Sequence, residues 1–452
     1  MVQCCYGRDA GIAFVNARVF AARGFKVLFV STRGTYGSGG EFWPGRAEQS
    51  DSQDIVVWMR QQPWYPGTFA TAGASYLGYS QWAFLRDPPE DCVAAAIMVA
   101  PHDQAFHVWG TGCFGLDRVG WSDLMSRRDE KKSILSNASH IPGLSLPLYS
   151  SLEKYFSERK APWLFDYLDH PNLDDEYWTA VRHHDSLERV NIPILLISGW
   201  YDPFFTQSMA QYKRLHERGV DVKLIVGPWT HTQASGLYSM RELLEFFSEH
   251  LAKSGKYSTA PAHIYVTGAE EWTPMPSWPP ATTPQTFYLQ PNGTLGPDQP
   301  AEDARSLSFV FDPLDDVQIF TSELLTEDVK VFGMPRIQFT HSSDPPYADL
   351  FVRLSEVDTN GVSHNITQVY KALDPLRDQS QPISLELHDC AHTFRAGTRI
   401  RLIVAGGAFP MYARCLGTSE DRVRSDKVVP QKHTITVAGG LSELVLPVQV
   451  DA

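Results

Sequence analysis

Ser75 lies between a run of small residues and a helix-like segment, in "TFATAGASYLGYSQWAFL" (68–85). A serine at a sharp strand-to-helix turn has its hydroxyl standing above the sheet, beside the free N–H groups of the new helix. Gly73 and Ala74 let the chain pass through such a turn, although the second glycine comes at Gly78 and Leu77 holds its usual place. Taken alone, Ser75 is either a nucleophile or an N-cap serine in an inert tight turn. A nucleophilic serine needs a base, and the base needs an acid to orient it. In sheets of this kind the order along the chain is Ser, then Asp or Glu, then His, each on a loop after a later strand. Here "IPILLISG" (192–199) runs into "WYDPFF", which puts Asp202 just past a strand end, and "VDVKLIVG" runs into "PWTH", which does the same for His231. Each has a bland alternative, a strand-end cap for Asp202 and a surface loop histidine for His231. Ligands bind at the carboxyl ends of parallel strands, so all three loops are expected to open on one edge.

Two other clusters compete. His102-Asp103, after "CVAAAIMVA", is either an acid–base pair or the exit into an inserted segment. His183-His184-Asp185 looks metal-like, but adjacent histidines on a helix point about 100° apart. A solvated linker is expected there, and no metal site.

The elements around these residues alternate. "AGIAFVNARVFAARG" (10–24) reads as a helix with Ile12, Val15, Val19 and Ala22 on one face, and "KVLFVS" (26–31) as a buried strand. "SQDIVVWMRQQ" reads as a helix, "TFATAGAS" as a strand, "YLGYSQWAFLRD" as a helix and "CVAAAIMVAP" as a strand. This is the rhythm of a parallel sheet with helices on both faces. It stops near residue 103 and resumes at 188, so residues 103–187 are expected to be a helical cap inserted between 1–102 and 188–255. From 256 to 452 short alternating runs such as "HIYVTG", "MPRIQFTHSS" and "TRIRLIVAGG" predict an antiparallel β-sandwich.

The 452 residues carry 39 Lys+Arg against 52 Asp+Glu, a net charge of −13, which offers no footprint for nucleic acid or anionic membrane. No apolar run reaches the ~18 residues of a membrane span, and no leader of the secretory kind opens the chain. Six scattered cysteines without zinc-like spacing fit a reduced compartment, so a cytoplasmic location is expected. Asn-x-Ser/Thr patterns at Asn137, Asn292 and Asn365 read as chance.

With these residues in view, the chain resembles the cocaine esterase/Xaa-Pro dipeptidyl-peptidase group of α/β-hydrolases. The resemblance rests on "FVSTRGTYGSGGEF", "DIVVWMRQQPW", "GASYLGYSQW", "YLDHPNLDDEYW", "ISGWYDPF", "LIVGPWTHT", "YADLFVRLSEVDTNG" and "FRAGTRIRLIVAGGAFP", in order over nearly the whole chain. It implies an α/β-hydrolase domain with an inserted helical cap and a C-terminal jelly-roll sandwich. It implies Ser75 as nucleophile, His231 as base and then acid, Asp202 as orienting carboxylate, and the Tyr76 N–H as one oxyanion donor. "CCYGRDAG" falls where the family has a "PY" loop, so Tyr6 takes the second donor role, with Cys5 in place of the proline. Trp121 and Phe204 fall at pocket positions and would flank an apolar or aromatic acyl group, while Trp200 and Trp229 would buttress the acid and histidine loops. The expected activity is carboxylic ester hydrolysis on a small molecule through an acyl-enzyme, with no cofactor. Pro203, Phe204 and Phe205 stand where α-amino-acid ester hydrolases carry acidic residues, and an apolar rim disfavours a charged α-amine. The alternatives are an Xaa-Pro dipeptidyl-peptidase or amidase with the same triad, or a weakly active truncated homologue that binds partners through its sandwich. Ser31 replaces an Asp usual before "RG", and Met1 falls just before the tyrosine loop. The first strands of the hydrolase sheet are therefore expected to be missing, leaving an exposed edge.

Overall fold

The computed structural model describes residues 1–8, 17–128, 144–158, 160–255, 260–301, 305–311 and 317–449. Residues 10–16 of the helix expected over 10–24, Ile12 and Val15 among them, lie outside the described residues, as does Asn137, and residues 17–21 are helical.

Continuous apolar runs form the central sheet, because strands covered by helices on both faces have no wet side. Strands β3 (Phe69–Ala74), β4 (Cys92–Met98), β5 (Ile194–Tyr201) and β6 (Val222–Thr230) pair in parallel in chain order. Helices α1 (Glu48–Arg60), α2 (Tyr76–Phe84), α8 (Phe205–Glu217) and α9 (Leu237–His250) belong to the same domain. The chain opens on a strand, β1 (Val2–Cys4), which pairs in parallel with β2 (Phe29–Ser31). The Met1 amino group donates to the Ala70 carbonyl (2.7 Å) and the Ala72 N–H donates to the Met1 carbonyl (3.2 Å), which lays β1 beside β3. The three-residue β2 therefore lies beyond β1, on the side away from β3.

The sheet does not stop at residue 255. Strand β7 (Ala262–Val266) pairs in parallel with β6, and β8 (Glu271–Met275) pairs antiparallel with β7. "HIYVTG", expected in the sandwich, thus belongs to the hydrolase sheet. Its alternation has a local cause: β7 lies near the sheet edge and is buried only at every second residue.

Between β4 and β5 the chain builds the expected cap from short helices: α3 (Gln104–Trp109), α4 (Asp117–Ser126), α5 (Leu148–Phe156), α6 (Pro162–Asp169) and α7 (His184–Arg189). Its two necks touch, with the His183 N–H donating to the His102 carbonyl (2.8 Å) and a β-bridge joining Asp103 to Arg182. Trp163, Tyr167 and Trp178 fill one core with Tyr76 and Tyr79 below and Phe351 and Tyr370 from the sandwich.

From Thr282 to Gln449, thirteen strands among the described residues form one connected all-β unit around Phe320, Phe339, Phe394 and Leu402. It is seamed to the hydrolase sheet where Thr267 exchanges backbone hydrogen bonds with Ala391 and Thr393 (3.0 and 2.9 Å). The cap is held to it by the Tyr149 N–H on the Val423 carbonyl (2.8 Å) and an Arg424–Asp169 ion pair. All six cysteines are buried free thiols. Among the described residues, no helix is long and apolar enough to cross a membrane.

Candidate active site

Ser75 follows β3 with φ 59° and ψ −127°, a backbone region costly for any residue with a Cβ. The glycines around it show why the turn is possible. A Cβ on Gly73 would lie 2.6 Å from the Leu77 Cβ, and one on Gly78 would lie 2.4 Å from the Ala100 Cβ. Gly78 thus lets the first turn of α2 press onto the end of β4. The Ser75 N–H is taken by the Met98 carbonyl (2.9 Å). The Tyr76 and Leu77 N–H groups open the helix without intrahelical acceptors, while those of Gly78 and Tyr79 donate to the Ser75 carbonyl (both 2.9 Å).

Registry of β5 and β6 brings the other two residues together, since Tyr201 pairs with Thr230 and the next residues are Asp202 and His231. The Asp202 side chain is fully buried and accepts the Phe204 N–H (2.8 Å). His231 places Nδ1 2.5 Å from Asp202 Oδ2 and Nε2 2.8 Å from Ser75 Oγ. A proton on Nδ1 donated to the carboxylate leaves Nε2 to accept from the serine hydroxyl. The chain can therefore move a proton from Ser75 to His231 while Asp202 fixes the tautomer. All three residues singled out from the sequence meet in one relay.

Tyr6 stands on the other side of Ser75. Its hydroxyl accepts the Trp121 indole N–H (3.0 Å) and interacts with the Ser75 side chain. Burial pushes its ionisation well up, so the phenol keeps its proton and can donate it in a hydrogen bond. Trp121 stacks on the Tyr76 ring (5.4 Å between centres, 18° apart). The Tyr76 hydroxyl accepts the Gly45 N–H (3.0 Å) and donates to the carboxyl of Glu48, which is 1% exposed. Burial raises the Glu48 pKa, with the Tyr76 hydrogen bond opposing it. Nothing in the sequence singles out Glu48, because an acid at the start of α1 reads as an ordinary dipole-favoured surface residue.

Phe204 is buried with its ring 5.4 Å from the His231 ring and 4.4 Å from the His107 ring. Phe205, expected on the same apolar rim, instead packs in the hydrolase core against Trp200 (5.1 Å). The rim after Asp202 is thus one phenylalanine wide. Trp200 donates its indole N–H to the Tyr265 carbonyl (2.8 Å), and Trp229 sits against Gly199 and Gly227 of β5 and β6. Arg118, from α4, lies against both Phe204 and Trp121, 5.5 Å and 5.8 Å from the centres of their rings. Its terminal nitrogen meets Asp117 (2.9 Å), which also faces His107 (2.7 Å). Burial lowers the His107 pKa, favouring the neutral ring.

The competing clusters take other positions. His183 is not part of a solvated linker: it is 1% exposed, with its ring 4.8 Å from that of Tyr79. It precedes α7 in non-helical backbone, so the helical argument applied to the pair does not hold. His184 is exposed and pairs with Asp103 (2.8 Å). Asp103 also caps α3 through the Phe106 N–H (3.0 Å), and His102 is buried at the cap neck.

A parallel sheet, a serine at a strained strand-to-helix turn, and a histidine and aspartate on later strand ends define a serine hydrolase of the α/β-hydrolase class. The model of the X-Pro dipeptidyl-peptidase (S15) family matches residues 3–233, and that of the X-Pro dipeptidyl-peptidase C-terminal non-catalytic domain matches 254–445. The chain belongs to the X-Pro dipeptidyl-peptidase (S15) family. It is 24% identical to the cocaine esterase of Rhodococcus sp. (strain MB1 Bresler), over 87% of this chain and 82% of that protein. Among solved structures it is similar to an aminopeptidase from a marine sediment Thaumarchaeota archaeon (TM-score 0.85, 17% identity, 99% of this chain and 91% of that one). An α-amino acid ester hydrolase is comparable (TM-score 0.84, 19% identity, 99% and 91%).

Proposed function

We propose that the protein hydrolyses carboxylic esters of small molecules through an acyl-enzyme. The observation that carries this is the unbroken relay Asp202–His231–Ser75, with contacts of 2.5 and 2.8 Å. His231 takes the Ser75 proton as the oxygen attacks the ester carbonyl. The oxyanion is held by the Tyr6 hydroxyl and the Tyr76 N–H, and His231 then protonates the leaving alcohol. Water repeats the cycle on the acyl-serine. Phe204 beside His231 and Trp121 beside Tyr6 flank the acyl group. The family's name favours a second reading, cleavage of Xaa-Pro peptides by the same residues. That activity needs an anion for a free amino terminus. The carboxylate beside the two pocket rings' cation, Asp117, is already engaged by Arg118 and His107. Comparing kcat/KM on aryl esters and on Xaa-Pro anilides separates the two. Aryl esters are expected to be the faster class, with both activities lost in Ser75→Ala, and faster anilide cleavage would overturn the ester assignment.

A further inference from the structure

The Tyr6 hydroxyl has one proton and two lone pairs, so what it donates to depends on what it accepts from. The Trp121 indole N–H can only donate, and it reaches the Tyr6 oxygen at 3.0 Å. That contact fills one lone pair and leaves the phenol proton for another acceptor. Two lie beside it, the Ser75 side chain and the Cys5 thiol. Sulfur is the weaker acceptor, and an oxyanion formed at Ser75 would be the strongest. An N–H donated into a hydroxyl also polarises it, which makes its own O–H a better donor. Tyr6, Ser75 and Trp121 are each partly exposed, so this group is not sealed from an incoming carbonyl.

Trp121 is itself held in place. Its ring stacks on that of Tyr76 (5.4 Å between centres). Its helix, α4, is pinned within the cap by the Trp163 indole N–H on the Ser122 hydroxyl (3.1 Å). The start of α4 is pinned to the sandwich, where the Leu116 N–H donates to the Met411 carbonyl (3.0 Å) and the Phe114 carbonyl accepts the Ala413 N–H (2.9 Å). The indole N–H is thus a fixed donor that the cap brings to the hydrolase domain.

Given the ester-hydrolase reading above, we propose that Trp121 is a positioning residue for the oxyanion site, acting through Tyr6: its indole N–H holds the Tyr6 oxygen so that the phenol O–H is aimed at the substrate oxygen beside Ser75. A residue that only lined the acyl pocket would act on KM, and would act alike whether or not residue 6 kept its hydroxyl.

The test is a double-mutant cycle of Trp121→Phe and Tyr6→Phe, read on p-nitrophenyl acetate turnover and on the rate at which a fluorophosphonate labels Ser75. Phenylalanine keeps a ring against Tyr76 and removes the N–H. Turnover is referred to the serines labelled at completion, so unfolded protein drops out. Trp121→Phe is expected to lower kcat and the labelling rate by about five- to tenfold, with KM within about twofold. In the Tyr6→Phe background the same change is expected to add no more than about twofold. An equal factor in both backgrounds, or a loss confined to KM, would overturn the assignment. Wild-type protein that is labelled but cleaves no ester would overturn the ester reading alone, since the labelling cycle still decides the role of Trp121.

Discussion

His231 and the pair His341–His433 are set under opposite conditions in one molecule. The His231 side chain is 32% exposed, with a buried carboxylate on one ring nitrogen and a serine on the other. His341 and His433 are 0% exposed in the sandwich, with ring nitrogens 3.0 Å apart. Arg377 donates to His341 Nδ1 (2.8 Å), so His341 carries its proton on Nε2 and donates it to His433 Nδ1. Burial, the His433 ring and the Arg377 cation lower the His341 pKa to about 3, and burial lowers that of His433 to about 4. The same side chain is thus partnered by a carboxylate and open to solvent in one place, and held neutral beside a cation in a dry core in the other.

The comparison can be broken in order of effect. Ser75→Ala or His231→Ala is expected to cost about 10⁴-fold or more in kcat on an aryl ester, while His433→Gln leaves the relay residues in place and is expected to stay within a few-fold. Asp202→Asn removes the acceptor that fixes the His231 tautomer, and is expected to cost about 10³–10⁴-fold with the fold intact by circular dichroism. Tyr6→Phe removes one oxyanion donor and should lower kcat by about 10²–10³ with little change in KM. An equal loss in both parameters would make Tyr6 a packing residue instead.

Acid separates the two environments next. Unfolded histidine titrates near 6.5, above the folded values of about 3 and 4, so below pH 6.5 the unfolded chain binds protons that the folded one refuses. The stability these groups contribute is fully present above pH 6.5 and is lost as pH falls through the folded values. Each is expected to cost about 2 kcal/mol between pH 7 and 5, read as a falling urea midpoint. A double His341→Gln/His433→Gln variant with the same pH slope as the wild type would contradict this. The smallest expected effect is at Glu48: Glu48→Gln, which keeps an acceptor for the Tyr76 hydroxyl, should hold kcat within a few-fold, and Glu48→Ala should lower it further.

The three relay residues were legible because each follows an apolar strand and a parallel sheet puts such positions on one edge. The cap was legible as a break in that rhythm. Strand β7 was not, since a strand near the edge of a parallel sheet alternates like one in a sandwich. His183 was not legible because the sequence places it beside a helix, while its backbone is non-helical and its ring is buried against Tyr79 under the cap. Glu48 and Arg118 were invisible for a shared reason. A charge on a short amphipathic helix reads as solvated until the opposing element, here α2 for Glu48 and the Phe204 loop for Arg118, is known to cover it.

The most direct test of the relay is covalent labelling with a fluorophosphonate, followed by peptide mass mapping. A single adduct on Ser75 is predicted, absent in Ser75→Ala and formed far more slowly in His231→Ala. Folded protein that takes no label, or takes it on another serine, would contradict the account.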